Sequence, residues 1–226
     1  MVHFTKSLCT ILIGVWLLLF IAHEARADTI VFSNFGPGMT FNQTQGLSVT
    51  GSNLFGDIPA HAFTPSQTVT FSSAQLAMLL VAEPNHFQVL LMTSSGGLPG
   101  NIIEIITVTM PTSAGIVTAN SAVHPVLTSG TQYWLAVFAP EPNTFGGWNL
   151  ALNDFLTPQA LGFTSPTGPW VVNNVNRSAF QINGEPIPEP STMLLLGTGL
   201  ATLGTAVRKR RQNKKKTTGR PKETLG

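Results

Sequence analysis

Three histidines lie in the central stretch of the chain, at His61, His86 and His124. They are too far apart to form a His-x-His or His-Glu-x-x-His pair, the spacings that bring two imidazoles onto one metal ion. Each is expected in a loop or at a strand edge, and the preceding Pro84-Asn85 places His86 in a turn. The carboxylates Asp57, Glu83, Glu104 and Asp154 are the material for a glycosidase-type pair. Scattered acids of this kind are more simply read as solvated surface. Oxygen-rich loops around Asp57 and Asn153-Asp154 suit calcium better than catalysis, but there is no Asp-x-Asp-x-Asp loop to support it. No Gly-x-Ser-x-Gly elbow occurs, and Ser94-Ser95-Gly96-Gly97 reads as a turn. Cys9 is the only cysteine and lies near the N-terminus, so a disulfide, a thiolate zinc site and a cysteine nucleophile are all excluded downstream of it. The expectation is therefore no catalytic residue, no metal and no cofactor, and a protein that is not an enzyme.

Aromatic residues are the better candidates for contact with a ligand. A tryptophan face packs against the apolar face of a sugar ring. Trp134 and Trp148 sit in strand-like settings and are expected in the core. Trp170 closes the run Pro166-Thr167-Gly168-Pro169-Trp170, reads as exposed on a loop, and is the candidate glycan contact.

The elements that must position these residues are strands. From residue 28 to 187 the chain is rich in Val, Ile, Phe and Thr, with Gly, Pro, Asn and Ser at short intervals. Candidate strands cover 29–34, 68–73, 75–81, 87–93, 103–110, 132–138, 148–152 and 179–182. In 132–138, Tyr133, Leu135 and Val137 alternate with Trp134, Ala136 and Phe138. Both sets are apolar, which predicts a central strand covered on both faces. Glycine turns are read at 95–100, 128–131 and 145–148. No segment there combines helical period with caps. The fold class is all-β, a β-sandwich with the jelly roll as a candidate topology, in one domain over 28–187.

Charge is divided sharply along the chain. From Asp28 to Ile187 there are seven acidic residues and one basic residue, Arg177, a net of −6. From Pro188 onward nine basic residues face Glu189 and Glu223, a net of +7. An acidic domain repels polyphosphates, so nucleic acid is not an expected partner.

Both ends read as targeting segments. Lys6 precedes an apolar run from 11 to 22, and Ala25-Arg26-Ala27 follows as a small-x-small cleavage site, so 1–27 is expected to be a signal peptide. Its partners would be the export translocon and signal peptidase. At the other end Pro188-Glu189-Pro190 leads into an uncharged stretch, 192–207, expected to be a single membrane helix at the short end of what crosses a bilayer. Pro188 and Pro190 favour an extended segment ahead of it. Arg208, Lys209, Arg210 and Arg211 follow at once and hold that end in the cytoplasm. Residues 212–226 continue as a basic cytoplasmic tail facing anionic lipid of the inner leaflet.

Pro188-Glu189-Pro190-Ser191, then Met193 to Leu200 with Gly197 and Gly199, then Arg208 to Arg211, together resemble the PEP-CTERM sorting signal of Gram-negative bacteria, over 188–211. The resemblance implies recognition by an exosortase, an integral-membrane protease that processes the chain near Pro188-Glu189-Pro190. It also implies an inner-membrane precursor, a final place at the cell surface or in the extracellular matrix, and association with exopolysaccharide and biofilm. Gly97-Leu98-Pro99-Gly100, Leu127 to Leu135, Gly147-Trp148 and Ala179-Phe180-Gln181-Ile182 resemble the choice-of-anchor extracellular domains, the R-type among them, which implies an all-β surface domain. The leading expectation is a non-enzymatic, exported and sorted surface or matrix protein. A carbohydrate-binding module for exopolysaccharide is the alternative, and a cell-surface hydrolase ranks last.

Overall fold

The computed structural model describes residues 28–152 and 157–187, with Gly197 beyond them. The chain divides into two units at the Pro186–Ile187 junction. The expected signal peptide with Ala25 and Ala27, the sorting residues Pro188, Glu189 and Pro190, the stretch 192–207 expected as a membrane helix (Gly197 excepted) and Arg208 to Arg211 lie outside the described residues. From Asp28 to Ile187 the described residues are all-β. None of their elements is a helix long and apolar enough to cross a membrane.

Two sheets stack face to face. The first contains β1 (Thr29–Ser33), β2 (Gly46–Thr50), β4 (Val69–Ala82), β7 (Gly115–Asn120), β8 (Val126–Leu127), β10 (Phe145–Asn149) and β13 (Phe180–Pro186). The second runs β12 (Trp170–Val175), β11 (Thr157–Phe163), β3 (Asp57–Phe63), β9 (Tyr133–Phe138), β5 (Phe87–Ser95), β6 (Leu98–Val108). All strand pairs are antiparallel. The main core lies between the sheets. Phe71, Leu76, Met78, Trp148 and Phe180 enter it from the first, and Phe63, Phe87, Leu91, Leu135 and Val137 from the second. Alternation of side chains along each strand brings these residues to one face, and the register shift opposite Asn183 and Gly184 keeps Phe71 in phase with Leu76 and Met78.

The second sheet has a core of its own on the opposite face. Ile58, Leu90, Met92, Trp134, Ala136 and Ala160 are buried there. Across four neighbouring strands the register aligns Ala160 with Ala60, Ala60 with Ala136, and Ala136 with Leu90. Three alanines in a row leave room on that face, so the sheet curls until its edge strands β12 and β6 approach each other. This curl is why β9 is covered on both sides, as its alternation predicts.

The first sheet is a set of four rows, three of them broken. β4 spans the full height, and β10 and β13 share one flank of it, pairing with its later and earlier halves. β2 and β1 stand outside them in the same order, and β7 and β8 share the other flank of β4. Candidate strands 68–73 and 75–81 are thus one strand, β4. The strand expected at 148–152 starts earlier, at Phe145, because Gly146 is not in a turn. It lies inside β10, where a Cβ would meet the Met110 sulfur at 2.6 Å and the Phe87 ring at 2.8 Å. The hairpin between β5 and β6 does use its glycines as expected. Gly96 and Gly97 have φ of 60° and 80°, between the paired Ser95 and Leu98. Strands β2, β3, β7, β8, β11 and β12 add to those read from the sequence.

Candidate functional site

Where the broken rows meet, a seam of polar groups crosses the interior. Ala179 N–H donates to Asn149 O, and Ala77 N–H to Ala179 O, carrying the ladder across the gap between β10 and β13. Asn34 works on the same gap. Its Oδ1 accepts from Phe180 N–H at 2.8 Å and its Nδ2 donates to Ser178 O at 2.9 Å. Ser178 Oγ donates to Trp148 O, and Trp148 Nε1 to Ala179 O. Asn149 Nδ2 reaches Asn42 O at 3.0 Å. A broken strand strands backbone donors and acceptors in the interior, and short polar side chains satisfy them here.

His61 is at the centre of this seam. It is fully buried on β3, with its ring 4.8 Å from Trp148 in an edge contact and 6.1 Å from Phe180 in a stacked one. Ser178 N–H donates to its Nε2 at 3.1 Å, so the proton of the neutral ring is on Nδ1. Burial pushes its pKa down to about 3, with the Arg177 charge adding to the effect. A ring held neutral and already accepting a backbone proton has no lone pair to offer a substrate or metal. The loop or strand-edge setting expected for His61 is therefore corrected. It lies in the core, beside its register partner Gln159. His61 Nδ1 and Gln159 Oε1 are both buried and find no partner among the described residues.

The other histidines are local. His86 follows the expected turn, its N–H donating to Pro84 O, and its Nδ1 lies 3.5 Å from Glu141. His124 has a φ of 51° and its Nδ1 lies 3.3 Å from Phe71 O.

The carboxylates do not converge either. Glu104, expected on the surface, is buried. It accepts from Ser121 Oγ at 2.7 Å, from Ala122 N–H at 2.7 Å and from Val123 N–H at 3.0 Å. It ties the loop after β7 to β6. Asp57 accepts from Ser48 Oγ, Glu83 is exposed, and Asp154 lies outside the described residues.

Trp134 and Trp148 are buried, as expected. Trp170 is not the free loop platform that its proline-glycine context suggests. It opens β12, is only half exposed, and packs against the second core. The reason is Gly162 opposite it in register, where a Cβ would sit 3.0 Å from the indole. Absence of a side chain there lets the ring lie down over β11. Its Nε1 is buried and finds no partner among the described residues.

Sequence reasoning passed over the surface at 51–56. Phe55 is 76% exposed and Leu54 45% exposed there. The loop is nonetheless held on all sides. Leu54 and Gly56 N–H donate to Gly51 O, Asn53 N–H to Pro142 O, and Thr164 N–H to Gly56 O. Asn53 Nδ2 also meets Asn143 Oδ1 at 2.9 Å. The signal was an Asn-Leu-Phe-Gly run, polar at its ends and apolar in the middle. Elsewhere an open groove of about 600 Å³ runs between the edge strands β6 and β7, lined by Thr107, Thr109, Met110, Pro111, Ile116 and Thr118.

Compared with known proteins, the chain matches the PEP-CTERM protein-sorting motif over residues 186–211. No curated protein matches it. The motif marks an exported protein with a membrane-anchored precursor, destined for the cell surface and processed by an exosortase.

Proposed function

We propose that the chain is a non-enzymatic surface or matrix protein of a Gram-negative-type bacterium, a β domain exported behind a cleaved leader and released or transferred at its C-terminal signal. The observation that carries this reading is the position of the motif. It begins at Pro186, the last residue of β13, so the sorting signal follows the folded passenger without a spacer. The two-sheet fold supports a domain of the choice-of-anchor kind, and its work is to be displayed among exopolysaccharide in a biofilm. Translocon and signal peptidase act first and the exosortase last. Replacing Pro188, Glu189 and Pro190 with alanine is expected to leave a larger, membrane-bound form in cell fractionation. Maturation at the wild-type rate would refute the reading.

A second reading, carbohydrate binding, is favoured by the loop at 51–56. An aromatic ring held in solvent by a pinned backbone loses little entropy on contact with a sugar, and the adjoining Asn53 and Asn143 amides offer both donors and acceptors. Phe55 then joins Trp170 as a glycan contact. Saturable binding on a glycan array, lost in Phe55→Ala with an unchanged melting temperature, is the expected result. No binding by the parent domain at millimolar sugar would remove this reading.

A further inference from the structure

We infer that the end of β13 restrains the rate of the sorting cut, an inference that rests on the sorting reading above. A protease holds its substrate extended on both sides of the bond it breaks. Upstream of Pro188 the chain has only Ile187 before Pro186, Glu185 and Gly184, and these last three belong to β13. The upstream half of the bound stretch is therefore drawn from a folded sheet.

The register shows how much of it can be given up. Glu185 pairs with Thr70 and Pro186 with Val69, both on β4, while the pairing of β1 stops at Gly184. The last two residues are thus held from one flank and are half-buried. Gly184 is different. It is buried, pairs with Thr29 on one side and Phe71 on the other, and lies so close to β4 that a Cβ would sit 2.8 Å from Thr70 O. Fraying from the end is cheap for Pro186 and Glu185 and stops at Gly184, where two strands must part at once.

The consequence for the reaction is a restraint. The peptide bond that breaks belongs to the sorting segment that follows β13. Its acyl carbon takes the oxygen of water and becomes the new carboxylate of the β domain, and the amine stays on the downstream remnant. Engagement also requires Glu185 and Pro186 to leave β4 first, so the folded domain restrains its own release.

The test is a Gly-Ser-Gly-Ser insertion between Ile187 and Pro188 of the full chain, expressed with an exosortase and followed by pulse-chase and intact mass. Conversion is expected to be about tenfold faster, equivalent to about 1.4 kcal/mol, the scale of releasing one or two strand hydrogen bonds. The product should gain the mass of the four inserted residues, because the cut travels with the motif. Unchanged or slower conversion of the spacer variant would overturn the restraint, and so would a product that lacks the four inserted residues, because the cut would then not have moved away from β13. If the parent chain is not converted at all, the sorting reading itself fails and takes this inference with it.

Discussion

A histidine enclosed by Trp148 and Phe180 makes the fold sensitive to acid. In the unfolded chain His61 takes up a proton near its ordinary value of 6.5, whereas in the fold it resists until about 3. The unfolded state therefore binds more protons between those values. The contribution of His61 to stability is complete above about 6.5 and is lost as pH falls toward 3. By about pH 4.5 the loss is on the order of 2–3 kcal/mol. In urea titrations across this range, His61→Phe is expected to be less stable than the parent at pH 7, because Ser178 N–H loses its acceptor, at a cost of about 1–3 kcal/mol. Its stability should fall less steeply with acid than that of the parent. Equal slopes for both proteins would mean that His61 is not the group that titrates.

The strands most legible in the sequence were those that are compact runs of apolar and β-forming residues bounded by turn residues. β1, β5 and β9 were found nearly to the residue, and the double apolar face of β9 correctly placed it at the centre of a covered sheet. What was not legible depends on partners distant in the chain. β11 and β12 contain Pro158, Gly162 and polar Asn173-Asn174, which mask their period. Gly162 is also what lays Trp170 flat, a relation set by register and invisible in the local run. His61 follows Pro59 in a stretch without alternation, and only the gap between β10 and β13 explains a polar ring there. Gly146 and Gly147 read alike as turn residues but occupy opposite faces of β10. Gly146→Ala presses on Phe87 and Met110 and is expected to cost about 1–3 kcal/mol. Gly147 has nothing within 4 Å of an added Cβ, and Gly147→Ala is expected to be neutral or slightly stabilising through the unfolded state. Thermal melts of the two variants side by side check this, and similar losses in both would return the pair to a turn.

Across the whole β domain, the strands that begin and end it are antiparallel neighbours, with Thr29 opposite Gly184. Its entry and exit points are therefore at one end, together with the glycine turns at 96–97 and 128–131. Phe55 lies at the other end, beyond Asp57 and Thr164. A surface protein held by its C-terminal end and gripped at the far loops would feel tension lengthwise, along β13. The hydrogen bonds from β13 to β4 lie across that line of pull, from Phe180 opposite Leu76 to Pro186 opposite Val69. They are loaded together in shear and do not open one after another as a zip. The broken row that makes the sheet hard to read from sequence thus ends in a strand suited to bear mechanical load between a tether and whatever the distal loops hold.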